Sequence, residues 1–265
     1  MPFLIDGIER NCGSHTIPAG FVSAMAPYGT AANQPTWTNA QIHDVIVDKN
    51  RRDMQALFPA SQFAVDQHQT SACNGWAKAN AITRVRKLAG HDDGWVGSGS
   101  FIYAQMNGGR DRGSILEDGM LDDHGCCSIT LNPYDRIFTN QISESAWQDA
   151  AKHRALRAYR AVNRQGWDSG LATGLYIGIA AVHVDESWNG MKGGRPPVAK
   201  GPGNHAVCIE DIRWDANNQR FEYLMQNSWS AKWGMDGRCW LTWAHLAQPF
   251  LNHVSYLIPA TREVV

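Results

Sequence analysis

Between residues 73 and 90 the chain reads CNGWAKANAITRVRKLAG, with Ala77, Ala81, Ile82, Val85 and Leu88 recurring at intervals of three and four. That period predicts a helix, stopped at Gly90. A second helix is expected from Ser114, because Ser114 and Glu117 fit the S-x-x-E capping pattern. A third is expected across SAWQDAAKHRALRAYRAV (145–162), with Ser145 and Gln148 as a similar pair. The pattern then changes. LYIGIAAVHV (175–184) is apolar and β-branched and reads as a buried strand, and HAVCIEDIRW (205–214) alternates well enough for another. RFEYLMQNSW and GRCWLTW follow as further strands, with turn formers such as DANNQ between them. Helices in the first half and strands in the second predict an α+β protein of two lobes with a cleft between them. Residues 1–60 show few periodic apolar runs and many turn formers, as in PYGTAANQPTW, and read as an irregular arm wrapping the body.

Composition narrows the function classes. A chain of 265 residues builds one large domain or two lobes. Lysine plus arginine (24) nearly cancels aspartate plus glutamate (25), and no basic stripe is seen, so nucleic acid is not an expected partner. No run approaches about 18 apolar residues, so no membrane span is expected. The start, MPFLIDGIERNCGSH, lacks a basic region followed by a long apolar one and does not read as a secretory signal. The expected location is cytoplasmic, or packaged without classical secretion. The six cysteines, Cys12, Cys73, Cys126, Cys127, Cys208 and Cys239, are sparse and read as free thiols rather than a disulfide framework. His124 precedes the Cys126–Cys127 pair, but no second pair completes a zinc-ligand spacing, so no metal is expected.

Chemistry concentrates in three separated segments. Cys73 opens the first predicted helix, and a helix N-terminus stabilises a thiolate. A thiolate nucleophile also needs a base and a group to orient that base. His205, in GNHAVCIEDI, follows a Gly/Pro-rich loop and opens a strand, which would hold an imidazole rigidly. Asn227 comes 22 residues later, in QNSWSAKWGMDGRCW, where it could hydrogen-bond His205 while Trp229 shields that bond from water. Taken singly, each has an ordinary reading: a buried thiol, a structural histidine, a turn asparagine, a core tryptophan.

Together these segments resemble the papain-like cysteine peptidases, especially their bacterial and phage-type members. DQHQTSAC is similar to the family's DQGQ-x-G-S-C segment, NHAVCIEDI to its (N/D/G)-H-A-V strand, and QNSWSAKWGMDGRCWL to its NSWG-x-x-WG-x-x-G segment. RGSILEDGMLDDHGCCSITLNPY is a weaker fourth match. The resemblance covers roughly residues 60–257, with 132 residues from Cys73 to His205. It implies a two-lobed α+β fold: a helical lobe from 61 to about 165, a strand-rich, β-barrel-like lobe from about 166 to 257, and a tail at 258–265. Residues 1–60 would then be a propeptide, a cleft plug or a wrapping structural arm.

The resemblance further implies Cys73 as nucleophile, His205 as base and later acid, and Asn227 as the group orienting the imidazole. Gln67 and the backbone N–H of Cys73 would form the oxyanion hole. A glycine wall would pair with substrate backbone, with Gly113 as the choice and Gly108 and Gly109 as rivals. The implied partner is a polypeptide substrate, and no cofactor is implied. The chain departs from the family pattern at Thr70 and Asn74, where a cysteine and a tryptophan are usual, and at His68, Ser71 and Ser230, where glycines are usual. The same machinery would serve a thiol amidase or transpeptidase, or could survive in a silent homologue that binds peptide or plays a structural part.

Overall fold

The structure, a computed structural model, describes residues 2–48, 51–119, 125–154, 157–252 and 255–260. The N-terminal arm carries a hairpin, β1 (Phe3–Ile5) and β2 (Ile8–Arg10), a short strand β3 (Ser14–His15), and helices α1 (Asn39–Ile46) and α2 (Met54–Leu57). Next come α3 (Ala60–Phe63), α4 (Cys73–Leu88), α5 (Gly99–Met106), β4 (Ser114–Ile115) and α6 (Glu144–Ala150). The second half holds β5 (Tyr159–Ala161), α7 (Arg164–Ala172), β6 (Tyr176–Val182), β7 (His205–Asp215), β8 (Arg220–Gln226), β9 (Arg238–Thr242), α8 (Trp243–Asn252) and β10 (Ser255–Pro259). Strands β5-β10-β6-β7-β8-β9 form one antiparallel sheet in that order. The fold is therefore α+β, with helices first and sheet second. The strand-rich half is an open sheet rather than a barrel: among the described residues its edge strands β5 and β9 do not pair.

Helix α4 forms where the apolar period places it and is buried on almost every side, with only Lys87 among its residues left partly exposed. It ends in a Schellman turn. Gly90, at φ +103°, lets its own N–H reach the Lys87 carbonyl and the His91 N–H reach the Arg86 carbonyl. At the other end no side chain caps it, since Ala72 stands at the N-cap. The first amides of α4 thus stay free to face the sulfur of Cys73.

Two sequence expectations fail locally. Ser114 does not start a helix. It lies in β4, its N–H bonds the Gly13 carbonyl at 2.8 Å, and Glu117 is taken instead by the Ala24 N–H and the Tyr256 hydroxyl. Residues 120–124, His124 included, lie outside the described residues. The third helix is shorter than its pattern. It starts after Ser143, whose hydroxyl caps the Ala146 N–H, and ends at Ala150, while residues 159–161 join the sheet as β5. At the C-terminus β10 runs through Pro259, so the last strand extends past residue 257.

Helix α4 packs along β7, and because Cys73 meets Ala206 at one end and Arg84 meets Glu210 further on, the two run in the same direction. Arg84 lies 11 residues past Cys73 and Glu210 five past His205. At about 1.5 Å per helical residue and about 3.3 Å per strand residue, both offsets come to about 16 Å. Glu210 is the extra residue of a β-bulge, since the β7–β8 register slips between Ile209 and Asp211. The bulge aims its carboxylate at Arg84 Nε and, at 2.7 Å, at Arg238 Nε on β9. Arg84 also reaches the Asn80 carbonyl and Gln226 Oε1. All three charges are buried, so the ion pairs hold helix and strand in one register.

Removing the shared carboxylate strands two buried guanidiniums. Glu210→Ala should lower unfolding free energy by about 3–5 kcal/mol, read by urea denaturation. A loss below about 1 kcal/mol would contradict this role.

Candidate active site

Cys73, the first residue of α4, and His205, the first of β7, are both fully buried. The backbone N–H of Ala206, next after His205, lies 3.4 Å from Cys73 Sγ, so the sulfur sits against the start of β7. His205 Nε2 is 2.8 Å from Asn227 Oδ1, and that oxygen also accepts the Ser228 N–H at 2.8 Å. Two acceptor contacts fix which end of the carboxamide is oxygen, so His205 Nε2 carries the proton. The neutral imidazole then keeps its lone pair on Nδ1, which is buried without a hydrogen-bond partner. The Trp229 ring stacks on His205 at 4.7 Å between centroids and 27° between planes, covering one face of the imidazole.

Gln67 lies in the loop before α4. Its Oε1 accepts the Ser228 hydroxyl at 2.6 Å, which turns Nε2 towards the Thr70 carbonyl at 2.8 Å and the Asn11 carbonyl at 2.9 Å. Ser228, in the same QNSW run as Asn227, thus fixes the amide orientation of both Gln67 and Asn227. Gly113 lines the facing wall at φ +81°, its N–H on the Tyr103 hydroxyl. Asp111 accepts both that hydroxyl and the Ser71 N–H at 2.8 Å, fixing the gap between Ser71 and Gly113. Gly108 and Gly109 are exposed on the preceding loop. The structure therefore brings together Cys73, His205, Asn227, Gln67, Trp229 and Gly113.

The gap is filled by the chain's own N-terminal arm, which agrees with the plug among the readings open for residues 1–60. Arg10 pairs with Asp66 at 2.9 Å and donates to the Trp229 carbonyl. The Asn11 carbonyl takes Gln67 Nε2, and the Gly13 N–H lies 3.3 Å from Cys73 Sγ. The Gly13 carbonyl accepts the Ser114 N–H, and the Ser14 N–H bonds the Asn204 carbonyl at 3.0 Å. Strand β3 pairs with β4 in parallel, Ser14 opposite Ser114. Glycine is required at 13, where a Cβ would stand 2.1 Å from the Ser71 carbonyl oxygen and 2.9 Å from Gly113 Cα. The only signal in the sequence was a run of small residues, CGS, too short to mark a strand.

The departures from the family pattern have structural answers. His68 and Ser230 keep the left-handed backbone that glycine favours, at φ +51° and +67°. The Thr70 hydroxyl bonds the Gln67 carbonyl at 2.7 Å, a local tie where a disulfide cysteine would stand. Asn74 bridges α4 to β4 through the Ser114 hydroxyl at 2.7 Å and holds the Lys78 ammonium. All six cysteines are unpaired, and among the described residues no cluster of three His, Cys, Asp or Glu side chains is arranged to hold a metal.

Burial sets the electrostatics. It pushes the Cys73 thiol up, against the lowering effect of amide hydrogen bonds from Ala206, Gly13 and Asn74. It pushes His205 down to about 4, only partly offset by Asn227, while Arg10 pushes the same way as burial. With the arm docked, the site favours neutral thiol and neutral imidazole over the ion pair.

This is the two-lobed fold of the papain-like cysteine proteases. Over 96% of this chain and 98% of the other, it superposes on xylellain, a cysteine protease from Xylella fastidiosa, with a TM-score of 0.69 and 20% identity. It is similar to proCathepsin B S9 from Trypanosoma congolense, with a TM-score of 0.64 and 14% identity over 94% of this chain and 85% of that one. It is also similar to bromelain from Ananas comosus in complex with the E64 inhibitor, with a TM-score of 0.53 and 19% identity over 74% and 92%. No family model and no curated protein matches the sequence. Among the described residues no helix is long and apolar enough to cross a membrane.

The imidazole predicts a pH dependence of stability. His205 is neutral when folded down to about pH 4 and protonates near 6.5 when unfolded. Its contribution is therefore present above pH 6.5 and lost as pH falls towards 4, by up to about 3 kcal/mol. His205→Gln should flatten the fall in urea midpoint across that window. An unchanged slope would contradict the assignment.

Proposed function

We propose that the chain is a cysteine endopeptidase whose cleft is closed by its own residues 10–15. The carrying observation is the meeting of three remote segments. Cys73 Sγ lies 3.4 Å from the amide after His205, and His205 Nε2 lies 2.8 Å from Asn227 Oδ1. In this reading His205 Nδ1 takes the thiol proton, and the Cys73 thiolate attacks the scissile carbonyl of an extended peptide. The developing oxyanion is held by Gln67 Nε2 and the Cys73 N–H at the uncapped start of α4. His205 then protonates the leaving amine, and a water activated by His205 hydrolyses the thioester.

The docked arm occupies both the hole and the sulfur. The carbonyl on Gln67 belongs to Asn11, while the amide on the sulfur belongs to Gly13. They come from adjacent peptide units, so the arm meets the hole and the sulfur through separate groups. Occupying the hole and drying the thiol and imidazole both oppose the ion pair that attack requires. The proposed arm is thus a reversible plug.

The filled cleft is also what favours a silent peptide-binding homologue, and one variant separates the two. Gly13→Leu adds a side chain where Ser71 and Gly113 leave no room, so it should expel the plug and leave the machinery intact. Its kcat/KM on fluorogenic peptides should exceed that of the unaltered chain by about 10- to 100-fold. Adding Cys73→Ala should abolish that activity by at least about 10⁴-fold. No turnover by folded Gly13→Leu, or turnover surviving the loss of Cys73, would overturn the reading.

A further inference from the structure

We propose that Cys12 and Cys73 form a reversible disulfide that locks the arm in the cleft under oxidising conditions. The proposal rests on the plug reading above and gives it a chemical switch. Gly13 donates its N–H to Cys73 Sγ at 3.3 Å, and no peptide bond of the chain is cis. Across a trans peptide the N–H and the preceding Cα lie on the same side of the C–N bond. Standard dimensions then put Cys12 Cα about 4–5 Å from the Cys73 sulfur. That is the span from one Cα to the far sulfur of a disulfide, reached by rotating the Cys12 side chain about χ1.

The residues around Cys12 hold it there. Asn11 is fixed by Gln67 on one side, and Gly13 and Ser14 by Ser114 and Asn204 on the other. Cys12 itself is half-buried, packed at the margin of the core that contains Trp229. Burial pushes its thiol well up, and the nearness of the Cys73 sulfur pushes it further. The other four cysteines, Cys126, Cys127, Cys208 and Cys239, are fully buried.

The oxidant is a peroxide. When the arm is undocked, the Cys73 thiolate attacks one peroxide oxygen, breaking the O–O bond and giving a sulfenic acid and hydroxide. On redocking, the Cys12 thiol attacks that sulfur. An S–S bond forms, the S–O bond breaks, and the hydroxyl leaves as water with the Cys12 proton. Overall, two thiols and one hydrogen peroxide give one disulfide and two waters. A dithiol reverses the step by exchange, becoming a disulfide itself and returning both thiols. The lock spares the nucleophile from the irreversible sulfinic and sulfonic acids.

The test treats the reduced full chain with a small excess of hydrogen peroxide, then maps it by mass before and after dithiothreitol. The expected result is loss of two hydrogens, a non-reducing digest peptide linking Cys12 to Cys73, and activity restored by dithiothreitol to within about twofold. Cys12→Ser should instead gain two or three oxygens on Cys73 and recover less than about a tenth of its activity. Absence of the linked peptide in the unaltered chain, or recovery of Cys12→Ser as complete as that of the unaltered chain, would overturn the lock. The mass mapping does not depend on turnover. A linked peptide in a chain that cleaves nothing would support the disulfide while removing the peptidase reading.

Discussion

The buried ion network of Arg84, Glu210 and Arg238 is the constraint on which the site depends. A helix and a strand packed side by side can slide, because apolar contacts are not directional. A carboxylate aimed out of a β-bulge at a guanidinium three turns down the helix cannot slide without stranding charge. The tie matches about 16 Å of helix to about 16 Å of strand. The first residue of α4 and the first of β7 then arrive at the same place, and those residues are Cys73 and His205. The network contributes register more than net stability, since a well-packed apolar substitute for all three groups would cost little.

Around that register the polar groups divide the work by donor and acceptor count. Ser228 gives its backbone N–H to Asn227 Oδ1 and its hydroxyl to Gln67 Oε1. One residue thereby turns an acceptor towards His205 and a donor towards the oxyanion position. The plug exploits the same valences from outside. Its Asn11 carbonyl satisfies Gln67, and its Gly13 amide satisfies the sulfur. Closure removes water from the thiol and imidazole, and that burial outweighs the thiolate-favouring Gly13 amide, which links the resting geometry to the proposed loss of reactivity.

Long, locally determined features were legible in the sequence. Helix α4 announces itself by period, and β6 to β9 by runs of apolar and β-branched residues between turn formers. The three motif segments were legible because each is contiguous and carries its own cap, strand or turn. Helix α5 was missed because GSFIYAQM is buried on nearly every side and so shows no polar stripe. The Ser114 helix was expected from a correct local pattern that lost to tertiary partners: the Gly13 carbonyl, Ala24 and Tyr256 claimed the groups a capping box needs. A plug was one of the open readings of the N-terminal extension, but the residues that form it were not legible, for a related reason. Its strand is two residues long, and its pairing partner lies 100 residues away.

The central claim is that the Cys73 thiol is activated by the His205 imidazole once the cleft is open. The most direct measurement is the rate and site of alkylation by a peptidyl epoxide, compared between the Gly13→Leu chain and the same chain carrying His205→Gln. The account predicts a single adduct on Cys73, forming at least about 100-fold more slowly without the imidazole. Adducts scattered over several cysteines, or a Cys73 rate indifferent to His205, would contradict it.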